Sequence, residues 1–219
     1  MKPTIAAAVA LVGMVALADG RLAPFPLAEA RFNAHPEHKG AAGSMSETGG
    51  VYTVNYDFSN GGHGVGVDFK LVEPVWAEKI VFDARVGERQ NVSVGVKGDD
   101  GQSFHKHAVV KTPGQWTHFE ADVGYGWGAH WGGKNDGVLR LPIKAVSLNV
   151  DRKAKGAGNP QETGVFEIRN VAYVEMPEER RRDAVFPRPS STLVSYVVSD
   201  FNAGASRFSS GPRVFCPTF

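Results

Sequence analysis

From residue 51 to residue 175 apolar side chains recur at every second position in short runs, each closed by glycine, proline or an Asn/Asp turn. A side-chain period of two belongs to extended strands with one buried face, and a helix cannot satisfy it. Residues 78–86 (E-K-I-V-F-D-A-R-V) put Ile80, Phe82, Ala84 and Val86 on one face, with Asp83 and Arg85 on the other. Residues 91–97 repeat the logic with Val92, Val94 and Val96 inward and Ser93 and Lys97 outward. Val146, Leu148 and Val150 mark the inward face of 143–151. Further strands read at 51–58, 63–71, 102–110, 116–123 and 164–175, with a less regular one at 27–33 and a polar, glycine-rich loop from there through Gly50. Ser59-Asn60-Gly61-Gly62 reads as the turn of a hairpin joining 51–58 to 63–71, and Gly98-Asp99-Asp100-Gly101 turns the chain into 102–110. About nine strands at short spacing, without a long helix, predict an all-β fold: a two-sheet antiparallel β-sandwich of the jelly-roll kind.

The flanks read differently. Lys2, the apolar run 5–17 and Ala16-Leu17-Ala18 have the form of an export signal over 1–18, which predicts a secreted or periplasmic protein. No other apolar run approaches the length of a membrane span. Residues 19–26 are a lead-in, 27–175 the sandwich, 176–191 a charged, proline-containing linker with a short helix at 178–184, and 192–219 an incomplete C-terminal segment. The sole cysteine, Cys216, excludes an intramolecular disulfide, so the core alone must hold the fold. With 24 Lys+Arg against 23 Asp+Glu the chain lacks the basic excess of a nucleic-acid surface.

The stretch 116–142 gathers three of the four tryptophans, Tyr125 and two of the histidines into a glycine-punctuated loop. Glycine at 124, 126, 128, 132 and 133 keeps it from becoming a helix. Flat aromatic rings beside amide and carboxylate groups suit a sugar, which has an apolar C–H face and a hydroxyl rim. Tyr125, Trp127, His130, Trp131, Asn135 and Asp136 are therefore the first candidate binding residues. The competing reading is that the tryptophans plug one end of the sandwich.

A catalytic signature is missing: the sequence contains no G-x-S-x-G elbow, phosphate-binding loop, dinucleotide fingerprint or H-E-x-x-H. His35 and His38 stand three apart in a proline-containing loop and read as solvated side chains, and no third residue is nominated to complete a zinc site. A structural Ca²⁺ between loops is chemically reasonable in an exported sandwich, but no ligand string identifies one. By alternation, Asp83, Arg85, Ser93, Lys97, His105, His107, Asn149 and Asp151 all point away from the core. If they share one sheet they form a polar face able to exchange hydrogen bonds with hydroxyls, and Arg85, His105 and His107 join the candidate list.

Residues 51–175 resemble the β-sandwich carbohydrate-binding modules, with a galactose-binding-like jelly roll, that accompany bacterial secreted glycoside hydrolases. The features that carry this are Tyr56-Asp57-Phe58 onward to Leu71, Ile80-Val81-Phe82-Asp83, Gly101-Gln102, Pro113-Gly114-Gln115-Trp116 and the closing Gly164-Val165-Phe166-Glu167-Ile168-Arg169-Asn170-Val171. In such modules that last strand often reads G-x-F-x-I-D-x-I, so Arg169 stands in the place of an Asp, which bears against a calcium at that end. The resemblance implies non-catalytic binding of a polysaccharide or oligosaccharide, beside an adjoining catalytic domain. A structural or accessory sandwich, and a lyase or hydrolase on the same scaffold using His105, His107 and Arg85, are the rival expectations.

Overall fold

The structure is a computed structural model that describes residues 20–35, 38–87, 90–110, 112–152, 162–181 and 185–186. The expected export signal, Cys216 and the segment 192–219 lie outside the described residues. In chain order the strands are β1 (Leu22–Pro24), β2 (Leu27–Asn33), β3 (Ala42–Thr48), β4 (Val51–Asp57), β5 (Gly64–Val75), β6 (Ala77–Val86) and β7 (Gln90–Lys97). Then follow β8 (Ser103–Val110), β9 (Thr117–Asp122), β10 (Ala129–Trp131), β11 (Leu139–Arg140), β12 (Ile143–Asp151), β13 (Thr163–Glu175), the single-turn helix α1 (Glu178–Arg181) and β14 (Val185–Phe186).

These strands form the expected two-sheet antiparallel sandwich. The first sheet runs β3-β4-β13-β6-β9, with β1 paired to β13, and the second runs β10-β8-β7-β12-β5-β2. In β13 the half from Thr163 to Ile168 pairs with β4, while Ala172 to Val174 pair with β1. The inward alternation is the one the sequence shows. Ile80, Phe82, Ala84 and Val86 meet Val92, Val94, Val96, Val146, Leu148 and Val150 in one continuous core. Ring contacts tie it together, with Phe82 stacked on Phe119 at 5.1 Å and Tyr52 edge-on to Phe69 of the facing sheet at 5.0 Å.

Two sequence expectations change. Residues 51–58 and 63–71 are not a hairpin, because β4 belongs to the first sheet and β5 to the second. The Ser59–Gly62 turn is real, with Gly61 and Gly62 at positive φ, but it carries the chain across the sandwich instead of back along the same sheet. Local turn chemistry fixes a reversal; which sheet the next strand joins depends on distant partners, here β12 and β2. The polar loop before Gly50 also contains a strand, β3, which pairs with β4 through the Gly49-Gly50 turn. Its composition (A-G-S-M-S-E-T) hides it, since only Met45 faces the core from this exposed edge.

Candidate functional site: the outer face of the second sheet

Strand register places the outward residues in rows. One row reads Asn33–Gly66–Asn149–Ser93–His107 from β2 to β8. The next reads Arg31–Asp68–Ser147–Gly95–His105–Ala129, and a third ends Ala145–Lys97–Ser103–Trp131. At about 4.8 Å between strands the first of these rows, from Asn33 to His107, spans roughly 19 Å. It contains no charged carboxylate, lysine or arginine.

Outward positions on a solvated sheet face are normally exposed. Here Ser93 is 2% and Asn149 1% exposed, although both point away from the core. Two outward glycines leave room for neighbouring side chains to lie flat here. A Cβ at Gly95 would stand 2.6 Å from His105 Nε2 and 2.2 Å from Ser147 Oγ, and one at Gly66 would stand 2.5 Å from Asn149 Oδ1. Without those Cβ atoms His105 and Ser147 lie across β7, and Asn149 lies across β5. The glycines thus floor the face with side chains lying flat. His35, from the loop after β2, closes over this floor with Nε2 3.2 Å from Asn149 Oδ1. Its backbone, at φ 47°, donates its N–H to Asn33 Oδ1 (2.7 Å). Asn149 Nδ2 has no hydrogen-bond partner.

Around the floor the groups are imidazole, hydroxyl and indole. His35, His105 and His107 form a line with ring centroids 6.3 Å apart at each step, and Trp131 meets His105 edge to face at 4.7 Å. Asp151 accepts from Ser93 Oγ (3.0 Å) on one oxygen and sits 2.9 Å from His107 Nδ1 on the other. That hydrogen bond raises the His107 pKa against the opposing effect of burial. Asp68 accepts from Asn33 Nδ2 at 2.9 Å. Among the described residues no three His, Cys, Asp or Glu side chains converge as a metal cage.

The other candidate residues divide. Trp131 is 46% exposed and lies on this face, beside His105 and His107 as the alternation implies. Trp127 does not: at 3% exposure it is core, donating from Nε1 to the Val123 carbonyl at 2.8 Å. It cannot offer a ring face to a ligand. His130 has the opposite parity to Trp131 and stacks on Phe104 at 5.8 Å. Tyr125 is 51% exposed but stands at the β8–β9 seam, where it and Trp127 flank the ammonium of Lys106 at 5.3 and 4.5 Å. That lysine lies on the inward parity, donates to the Asp122 carbonyl and has its pKa lowered by burial to about 8.

Asn135 and Asp136 turn out to shape the loop. Asn135 sits at φ 52° in a turn closed on the Gly132 carbonyl at 3.0 Å. Asp136 takes hydrogen bonds from Gln102 (3.1 Å) and the Val138 amide (3.1 Å) and a two-pronged bond from Arg140, which holds its carboxyl well below the usual carboxylate range. The fully buried Gln102 also donates to the Val138 carbonyl and accepts from the Gly137 amide, so its side chain anchors the loop.

Arg85 and Asp83 face outward from the first sheet, so they are not part of the histidine face. There Arg85 forks onto Glu167 (2.5 and 2.7 Å), and Asp83 takes hydrogen bonds from His118 (2.8 Å) and Asn170 (2.7 Å) with Arg169 at 3.3 Å. Trp116 lies under both guanidinium groups at 4.7 and 4.1 Å. Asn170 reaches Asp83 because β13 bulges between Arg169 and Ala172, where Asn170 takes φ 53°. The position that resembles an Asp in the modules' closing strand is thus occupied by Arg169, paired to Asp83.

One residue of this face, His35, is not among those the sequence assigns to it, because its loop reads as solvated; Asn149 is assigned to the polar face by alternation but is not singled out from it. Glycine at outward positions 66 and 95, within otherwise alternating strands, was the signal for a depressed floor.

The sequence matches no protein-family model and no curated protein. Solved structures with a similar fold are carbohydrate-binding modules and glycoside hydrolase chains. A family 29 carbohydrate-binding module is 14% identical with a TM-score of 0.41, over 65% of this chain and 84% of that one. The family 11 module from Clostridium thermocellum, in complex with a β-1,3-1,4-mixed-linked tetrasaccharide, is 17% identical with a TM-score of 0.49, over 68% and 89%. An agarase is 11% identical with a TM-score of 0.43, over 64% of this chain and 23% of that one. At these values no residue role is carried across.

Proposed function

We propose that this chain is a non-catalytic module of an exported protein that binds a neutral polysaccharide or oligosaccharide along the outer face of its second sheet. One observation carries the reading: two buried, uncharged hydrogen-bonding groups, Ser93 and Asn149, point outward on a face that has glycine at 66 and 95 and also presents the exposed ring of Trp131. Amide, hydroxyl and imidazole groups can each donate or accept toward sugar hydroxyls, while Trp131 supplies apolar area with little conformational entropy to lose. Both oxygens of Asp151 are engaged within the face, which suits orientation of His107 and Ser93 better than acid–base work on a glycosidic bond.

Affinity electrophoresis of the full chain tests this, in gels containing mixed-linkage β-glucan, galactomannan, xyloglucan or agarose, with polygalacturonate as the acidic comparison. Retardation by a neutral polymer, lost in a folded Trp131→Ala/His105→Ala variant, is the expected result. Retardation only by polygalacturonate, or equal retardation of the variant, would overturn it.

A further inference from the structure

The histidine face contains one group with a clear chemical demand. Asn149 is buried and its Nδ2 has no partner, while Oδ1 is met by His35 Nε2 at 3.2 Å. A buried donor left unsatisfied costs free energy of the order of a lost hydrogen bond, so a native chain that keeps one invites the partner that completes it. Turning the amide over does not remove the demand. His35 has a single nitrogen there, so it can meet one amide atom and leaves the other for something else.

The surroundings define what that partner is. Gly66 stands beside Asn149 in register on β5 and Ser93 on β7, so the β5 neighbour puts no side chain against the amide. His35 forms the roof. It is held there at φ 47°, a conformation that is unfavourable for a non-glycine residue. Its amide is tied to Asn33 Oδ1, and its carbonyl accepts from the His38 amide at 2.8 Å. A roof maintained against backbone strain, over a donor with nothing to donate to, is a built arrangement.

We propose that His35 and Asn149 form a closed subsite within the binding face, which takes one lone-pair oxygen of a neutral sugar, a hydroxyl or ring oxygen, as acceptor for Asn149 Nδ2. This rests on the reading that the face binds a neutral glycan. His35 is then a loop-borne positioning residue that holds Asn149's amide with Nδ2 turned to the ligand. Trp131, at the far edge of the face on β10, supplies area without reading that oxygen.

The test compares four full-length proteins by affinity electrophoresis in the same panel of polysaccharide gels: wild type, Asn149→Asp, His35→Ala and Trp131→Ala. Asn149→Asp keeps the shape and replaces the donor by an acceptor. His35→Ala changes only a loop side chain, so it still reports if the buried substitution fails to fold. Expected are a loss of about tenfold or more in affinity for Asn149→Asp and of several-fold for His35→Ala, for whichever neutral polymer retards the wild type. A side-chain amide NMR signal of Asn149 that moves on adding that polymer would separate direct contact from a structural effect. If Trp131→Ala loses binding while Asn149→Asp and His35→Ala keep it, the subsite is overturned and the binding face stands. If no neutral polymer retards the wild type, both fall.

Discussion

The two outer faces of the sandwich are built from similar polar residues and behave in opposite ways. On the first sheet a cluster of charges is matched pair by pair: Arg85 to Glu167, Asp83 to His118 and Arg169, Lys79 to Glu120. Trp116 is covered by two guanidinium groups. That face is complete in itself, and a ligand would have to break ion pairs to use it. The second sheet's face has no carboxylate, lysine or arginine in its row from Asn33 to His107, has outward glycines at 66 and 95, and holds a buried amide nitrogen with nothing to bond. A polar sheet face is therefore not a site by virtue of its composition. What distinguishes a site is hydrogen-bonding capacity left over after the protein has satisfied itself.

The sharpest way to break this comparison is to separate the two tryptophans that sequence alone treats alike. Trp127→Ala should lower stability by about 3–5 kcal/mol, the range for removing a large buried aromatic. Trp131→Ala should leave stability within about 0.5 kcal/mol and weaken glycan binding about tenfold or more. Urea denaturation and affinity electrophoresis on the same two variants check both halves, and a reversal of the two phenotypes would undo the assignment of the faces.

A second expectation concerns the glycine floor. Gly95→Ala meets only side-chain atoms, those of Ser147 and His105, and no backbone of another strand within 2.7 Å. It should therefore push His105 up and cost several-fold in affinity, with a stability cost of about 1–3 kcal/mol. An unchanged affinity would show that the flat position of His105 is incidental.

The smallest effect belongs to the charged face. Asp83 first, then Glu120, raise the His118 pKa from 6.5 to about 9. Because the folded-state value is the higher one, the stabilisation is fully present below about pH 6.5 and is lost as pH rises through about 9. The His118 side chain is 34% exposed, so solvent screening reduces the effect to the order of 1 kcal/mol. Thermal unfolding from pH 6 to 10 should show the stability advantage of the wild type over His118→Gln shrinking as pH rises, a difference that cancels the opposite titration of Lys106 common to both proteins, with glycan binding alike in both.

Much of the architecture was legible because alternation is a strong physical signal. Ile80-Phe82-Ala84-Val86 and Val92-Val94-Val96 face the core as their spacing demands. Strand β3 was not legible, since an exposed edge strand buries too little to impose a pattern. The jump from β4 to β5 was hidden for a different reason: sheet membership is a long-range property that Ser59-Asn60-Gly61-Gly62 does not encode. At the site, parity correctly put His105, His107, Ser93, Asn149 and Asp151 on one face, but it could not tell that Asp83 and Arg85 belong to the other sheet. The aromatic loop misled most. Trp127 and Trp131 share a glycine-rich context, and only the register of β10 against β8 decides which points outward.

On the proposed reading one sheet face takes the glycan and the other is held by its own ion pairs. The direct measurement is affinity electrophoresis, in neutral and acidic polysaccharide gels, of two folded triple variants beside the wild type. Trp131→Ala/His105→Ala/Asn149→Asp disables the second sheet's face, and Trp116→Ala/Arg169→Ala/His118→Ala disables the first. The account predicts that the former loses retardation by a neutral polymer and the latter keeps it. Retention by the former with loss in the latter would contradict it and move the site to the arginine–tryptophan face.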